Sequence, residues 1–316
     1  MKEIRVKEFY KGKQGIELIG DGEVVIRRVV SLKESTGIIH GGFVWVKPGN
    51  EDQVTPGLDV AAAALTKASY EILKGKLSAV AYLITETPRA VFQRFTTLLA
   101  PDAPEGTEPS AYVHPSASVG DGVYIGHNVV IEAQVLIGKR VQIGHNTVIC
   151  EGTVLEDDAE IGCNCTIGRT GFGYEKDDEG VYQRITHLGS VLIQRGAIIH
   201  NNTCIDRAVL GQTLIGANVR IDNLVHIAHG VQIGRNSVVI SNSMIAGSAT
   251  IGTDTWIAPS VNILNQLTIG NRVQTGMAAT IVKPVPDDTT VVGAPAEPIE
   301  QYKQWLAARK KLLAGS

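Results

Sequence analysis

The chain has 316 residues, 44% apolar but only 5% aromatic, and a net charge of −3. That balance excludes a nucleic-acid binder held by bulk positive charge, and the apolar mass must be aliphatic. No stretch reaches the eighteen or so unbroken apolar residues of a membrane helix. The start MKEIRVKEFYKGK has no apolar segment of the secretory kind, so no signal is read and a cytoplasmic protein is expected.

Residues 1–105 read as a small α/β domain. Ile16–Ile19 and Val24–Val30 read as strands around the turn Gly20-Asp21-Gly22, and Phe43–Val46 as another strand. Ala61–Lys74 reads as a helix, Ser78–Ile84 as a buried strand, and Pro88–Leu99 as a helix that starts on its proline. The Pro- and Gly-rich stretch Ala100–Pro109 reads as a linker.

From Val113 the sequence repeats every six residues. Aliphatic side chains stand at Val113, Val119, Ile125, Ile131, Ile137, Ile143, Ile149, Leu155, Ile161 and Ile167, then at Ile193, Ile199 and Ile205. After one phase shift they run from Val209 and Ile215 to Ile269 at the same spacing; Thr275 breaks the pattern and Ile281 restores it. Neither the helical period of 3.6 nor the strand period of 2 gives six. A triangular coil of short parallel strands does, with one inward aliphatic residue per face and eighteen residues per coil. The expected fold is therefore mainly β: a parallel β-helix of hexapeptide repeats over 106–285, behind the α/β domain. Glycines such as Gly126, Gly138 and Gly234 directly follow ladder residues, and are expected to supply backbone angles that a Cβ forbids.

Residues 168–190 interrupt the ladder and read as a hairpin-like excursion carrying Phe172, Tyr174, Tyr182 and His187. With aromatics so scarce elsewhere, this excursion is expected to wall a binding site. Beyond the coil, residues 286–316 hold the turn Gly293–Ala296 and a helix from Pro298 to Leu313, on which Ile299, Tyr302, Leu306, Leu312 and Leu313 share a face beside Trp305. Its end is basic through Lys303, Arg309, Lys310 and Lys311. That basic end is either a match to the helix dipole or a docking patch for an acidic carrier. Cys150, Cys163, Cys165 and Cys204 show neither a disulfide framework nor a zinc spacing, and read as reduced, half-buried fillers.

Chemistry is expected around Ile221–Gly230. His229 follows the ladder residue Ile227 by two places and so faces outward, and the eighteen-residue ruler puts Gly211 and Gly247 on either side of it. An imidazole between two glycines stands in a notch with backbone N–H groups close by, offering a base and oxyanion donors for acyl transfer. His114, His127 and His145 have no glycine neighbours of this kind. Asp222 and Asn223 are candidates to orient the histidine or a sugar, with His226 beside them. His226 and His229 are expected on opposite sides of their strand, so no metal site is read. A non-catalytic assembly module and a metal-dependent hydratase are the rival readings of such a coil.

The stretches 170–193, 204–234, 243–252 and 275–286 resemble the UDP-3-O-acylglucosamine N-acyltransferase family of lipid A biosynthesis, which are left-handed parallel β-helix enzymes. The resemblance implies a homotrimer with sites in clefts between subunits, no bound cofactor, His229 as general base and Gly247 N–H as oxyanion donor. It implies a nucleotide-linked aminosugar as acceptor, with the domain of residues 1–105 serving nucleotide or sugar recognition. Gln266 falls where the family has a second histidine. Asp206-Arg207-Ala208 replaces its Asp-Arg-Gly, and Val46–Asn50 lacks its uracil-contacting tyrosine. Gly293–Ala296 resembles the closing turn of acetyl-CoA-dependent sugar acetyltransferases, so the thioester donor is acyl carrier protein or coenzyme A. An N-acetyltransferase acting on an amino-deoxysugar nucleotide for a surface glycan is the nearest alternative.

Overall fold

The computed structural model describes residues 2–10, 15–32, 36–293 and 299–314. The chain divides into two compact units, residues 1–103 and 104–316.

The first unit carries a five-stranded sheet in the order Glu17–Gly20, Leu77–Ile84, Leu58–Leu65, Ile38–Trp45, Arg28–Val29. Glu17–Gly20 runs antiparallel to its neighbour and the other pairs are parallel. The stretches on either side of Gly20-Asp21-Gly22 pair elsewhere and not with each other: Val25–Ile26 pairs with Ile4–Arg5. The expected helix from Ala61 is corrected. Ala61–Leu65 ends a buried strand, and the helix spans only Lys67–Leu73. Alanine favours a helix in isolation, but this run lies between two parallel partners, where Ala62, Ala63 and Ala64 are fully buried. Thr66 then caps the helix by accepting from Ser69 N–H.

The second unit is the parallel β-solenoid that the six-residue period predicts. Its strands stack into three parallel sheets of ten, nine and eight strands among the described residues. Ladder residues pair with ladder residues eighteen places on, as Ile125 with Ile143 and Ile143 with Ile161. Their side chains form one continuous buried core from Val123 to Val285. Thr275 keeps the inward place despite its hydroxyl, which accepts from Ala258 N–H at 2.8 Å. Parallel pairing runs past residue 285, the expected end of the coil. Gly106–Thr107 within the expected linker pairs with Tyr124–Ile125, and Thr290–Val291 pairs with Gln274–Thr275. The helix spans Ile299–Ala314, with Leu312 and Leu313 exposed; residues 294–298 and the side chains of Ile299, Tyr302 and Lys303 lie outside what is described.

The glycines after ladder residues are needed for a different reason from the one expected. Apart from Gly168, at φ +89°, they have no positive φ; a Cβ on Gly138 would lie 2.6 Å from Asp157 N, and one on Gly234 2.6 Å from the Gly252 carbonyl carbon. The next coil's backbone fills that space. The left-handed turns fall two residues later, on Asn128, Asn146, Asn164, Asn202 and Asn236 among others, where asparagine tolerates the conformation best after glycine.

Two irregularities break the eighteen-residue ruler. The first is a hairpin, Tyr174–Lys176 against Tyr182–Arg184, which makes Ile161 pair with Ile199. The second follows Ile205. Val209 is not a ladder strand residue: the chain makes an enlarged corner and regains the ladder at Ile215. On one face Ile205 pairs with Ile227, while on the next Ile215 pairs with Ile233. The N–H groups of Leu188 and Gly189, from the returning hairpin, donate to Val209 O and brace this corner.

Candidate active site

Residues two places after a ladder residue stand at the corners. There the backbone N–H points along the stack, and an acceptor from the next coil often closes it. Lys139 N–H donates to Asp157 Oδ1 at 2.9 Å, Cys163 to Asn201 Oδ1 at 2.7 Å, Thr253 to Asn271 Oδ1 at 2.8 Å, and His127 to His145 Nδ1 at 2.8 Å. Gly247 departs from this rule. Asn265 stands where Asn201 and Asn271 stand in their coils, yet it is exposed, and Gly247 N–H has no hydrogen-bond partner among the described residues.

The His229 ring lies against Gly247. An ideal Cβ on Gly247 would sit 2.8 Å from both Cε1 and Nε2 of His229. Only glycine lets the tip of the ring come this close, and Nε2 is the nitrogen at the tip. Neither ring nitrogen of His229 makes a hydrogen bond among the described residues. The His187 ring meets it edge-to-face at 5.2 Å between centroids. Burial, then His187, push His229 below the ordinary histidine value, while Asp206 pulls it up. The ring is therefore held neutral, as a base must be.

The notch is closed from below by Gly171, not Gly211. A Cβ on Gly171 would lie 3.1 Å from His229 Cβ and 3.0 Å from Asp206 Oδ2, whereas one on Gly211 would meet nothing within 4 Å. The enlarged corner carries Gly211 away from the stack and brings the base of the hairpin in. Asp206 was passed over in the sequence reading. Its side chain is 14% exposed and lies 3.8 Å from His226 Nε2. His226 and His229 therefore face the same carboxylate, not opposite sides, because the strand ends at Ile227 and its alternation stops at the corner.

The remaining expected residues separate into two groups. Phe172 and Tyr174 pack on each other at 4.8 Å and are exposed, directly beyond Gly171. His187 is buried, with Nδ1 donating to Ile185 O at 2.8 Å and Nε2 without a partner among the described residues. Gln266 lies one coil above, its N–H donating to Gly247 O. Asp222 and Asn223 sit at the opposite corner of the face. Asp222 Oδ1 accepts from Asn223 N–H and Nδ2, and Asn223 Oδ1 accepts from Asn201. Within this chain they orient Asn201, not His229.

The other histidines and the thiols complete the picture. His145 does have a glycine against it, since a Cβ on Gly126 would lie 2.7 Å from its Nδ1. Of the cysteines, Cys150 and Cys165 are buried and Cys163 half-buried, but Cys204 is exposed. Burial pushes the Cys150 and Cys165 thiols up to about 11, which leaves them poor nucleophiles at neutral pH. Among the described residues no three His, Cys, Asp or Glu side chains gather as metal ligands, and no helix is long and apolar enough to cross a membrane.

Coil, notch and open N–H together define a hexapeptide-repeat solenoid with a histidine site. The profile described as "Bacterial transferase hexapeptide (six repeats)" matches residues 134–169 and 212–247. Curated homologues carry the name UDP-3-O-acylglucosamine N-acyltransferase. One from Caulobacter sp. (strain K31) is 39% identical over 150 residues, covering 48% of this chain and 43% of its own length. One from Helicobacter pylori (strain HPAG1) is 38% identical over 202 residues, covering 62% and 60%. The chain thus spans about half the length of these relatives. Among solved structures, LpxA from Acinetobacter baumannii superposes with a TM-score of 0.54 at 23% identity, over 63% of this chain and 76% of that one. The UDP-N-acetylglucosamine acyltransferase from Campylobacter jejuni gives 0.52 at 23%, over 57% and 68%. These two likenesses bear on the fold alone.

Proposed function

We propose that the chain is an N-acyltransferase of lipid A-type assembly, moving an acyl group from a thioester to the amine of a nucleotide-linked aminosugar. The names of its homologues support the reaction class. The observation that carries the residue assignment is the open Gly247 N–H beside the tip of His229. In the proposed step the neutral amine attacks the thioester carbonyl carbon and forms the C–N bond. His229 Nε2 takes the proton that the amine sheds. Gly247 N–H holds the oxyanion of the tetrahedral intermediate. The C–S bond then breaks, and the leaving sulfur recovers the proton from His229. Phe172 and Tyr174 wall the acceptor.

The donor is an acyl thioester of acyl carrier protein or coenzyme A, and the working form is a homotrimer in the cytoplasm. One outward column supports assembly: Leu136, Val154, Leu192 and Leu214 stack on one another, with Leu136 exposed. Unpaired thiols suit a reducing compartment. A mass-spectrometric transfer assay tests the reading, crossing hydroxyacyl carrier protein and acetyl-CoA with UDP-, dTDP- and GDP-linked aminosugars. N-acylated product with a long-chain donor supports it, acetyl transfer alone moves it to the N-acetyltransferase class, and no product from any pair overturns it. Light scattering on the purified chain tests the trimer.

A further inference from the structure

Where the hairpin leaves the coil, two hydrogen bonds of the stack fail and one side chain replaces them. Buried hydroxyls inside the coil follow a rule. Thr147, Ser237, Ser243 and Thr255 each donate to the carbonyl fifteen residues on, at Gly162, Gly252, Ala258 and Gly270. By that count Thr153 should donate to Gly168 O. Its hydroxyl is fully buried and has no partner among the described residues. Corner carbonyls follow a second rule: Ala133, Lys139 and His145 accept from the N–H nineteen residues on, at Gly152, Asp158 and Asn164. By that count Glu151 O should accept from Thr170 N–H, and among the described residues that bond is not made. Both failures meet at Gly168, where φ is +89°. The register slips there between Ile167 and Arg169, and Thr170 stays paired with Arg207 of the coil above.

Arg207 takes both freed acceptors. Its Nε donates to Gly168 O at 2.7 Å and its Nη2 to Glu151 O at 2.5 Å. The side chain thus crosses the departing strand and reaches the coil beneath it. Both acceptors are neutral carbonyls that the coil's own donors no longer reach, and backbone carbonyls need partners. The planar fork of a guanidinium serves two acceptors at once. Three residues beyond Gly168, Gly171 fills the space below His229, where a Cβ would lie 3.1 Å from His229 Cβ. The returning arm of the same hairpin brings His187 edge-to-face with the His229 ring at 5.2 Å. We infer that Arg207 is a positioning residue of the site: it sets the root of the hairpin and, through Gly171 and His187, holds the His229 ring in its half-buried place. The catalytic meaning rests on the proposed acyl transfer, but the strut itself is a property of the folded chain.

Arg207→Met tests the strut. Burial and His187 hold His229 below its ordinary value, against the pull of Asp206. With the hairpin root loose, water enters, His187 withdraws, and the pH at which His229 titrates rises. ¹⁵N NMR on histidine-labelled protein without substrate, with His229 assigned by its loss in H229A, should show that upward shift. In the transfer assay the acid limb of kcat/KM should move up with it. The rate kcat should fall about 100-fold, the order expected for a displacement of about 1 Å. An unmoved His229 titration overturns the inference, and so does an unchanged kcat. Arg207→Lys keeps the charge without the fork and should act in the same direction to a lesser extent; it decides if R207M does not fold. Thr153 gives a test that leaves Arg207 in place. Thr255→Val breaks a made hydrogen bond and should lower Tm, whereas Thr153→Val removes a hydroxyl without a partner and should leave Tm unchanged or raise it. A fall for T153V as large as that for T255V means that Thr153 still holds Gly168 O, and overturns the inference. If no thioester gives product but the titration and Tm respond as stated, the strut stands and the acyl-transfer reading fails.

Discussion

Three corners of one solenoid carry a histidine two places after a ladder residue; at two of them, His145 and His229, a glycine lies against the ring, and of these two only His229 leaves both ring nitrogens unbonded among the described residues. His145 follows Ile143 by two residues, as His229 follows Ile227. Each has a glycine close by, Gly126 for one and Gly247 for the other. His145 accepts the His127 N–H at 2.8 Å and stacks on the His127 ring at 5.4 Å. Its lone pair is used in holding two coils together. At His229 the ruler has slipped by the extra residues of the enlarged corner, so the coil below offers no N–H in register. Above it, Gly247 N–H is left uncapped. A glycine beside a histidine is thus common to both corners, and unmade hydrogen bonds distinguish the second.

Exchanging the two corners by mutation puts the largest effect first. Replacing His229 by Ala should lower kcat/KM about 10²- to 10⁴-fold, the ordinary range for a lost general base, with thermal unfolding unchanged. His145→Ala should leave the rate untouched, and equal losses at both positions would collapse the distinction. Gly247→Ala comes next. Its new Cβ meets the ring tip at 2.8 Å, and the ring must move. A displacement of this order costs about 100-fold, seen in kcat more than in KM. Wild-type kinetics for G247A would mean that the tip of His229 is not where the reaction takes place. Third, the neutral form of His229 should persist below the usual histidine range, because burial and His187 outweigh Asp206. The acid limb of kcat/KM should lie below about 6.5, the ordinary value, and His187→Ala should raise it by removing a like charge. A limb above the ordinary value would contradict that ordering of causes.

The ladder was legible because a period of six has one structural solution, and each inward side chain reports the same fact independently. His229 and Gly247 were legible by the same ruler, since nothing is inserted between Ile227 and Ile245. Below His229 the ruler fails. Ten residues separate Ile205 from Ile215 instead of six, and counting back eighteen through that gap picked Gly211 in place of Gly171. The gap was visible, but what would fill the space was not. That depends on a hairpin whose base returns to the stack through hydrogen bonds to Val209. Asp206 was lost for the same reason, although it sits beside the ladder residue Ile205. His226 was misplaced by extending strand alternation through a corner, where the chain bends after two residues. In the first unit, Ala61–Leu65 was misread because local propensity favours a helix, while two flanking parallel strands settle the matter.

The smallest expected effect bears on His145. If its lone pair serves the stack, His145→Ala removes one hydrogen bond to a backbone N–H that is exposed enough to find water instead. The loss should be about 0.5–1.5 kcal/mol in denaturant unfolding, the net worth of one such bond. His145→Asn should recover much of it, because Asn201 and Asn271 close the same N–H in their own coils at 2.7 and 2.8 Å. The matching change at the other corner, His229→Asn, has no N–H below it to close. It should therefore leave stability unchanged and the rate as low as in H229A. If H229N instead stabilised the chain while H145N did not, the N–H in need of a partner would lie at the upper corner, and the assignment of the two histidines would have to be reversed.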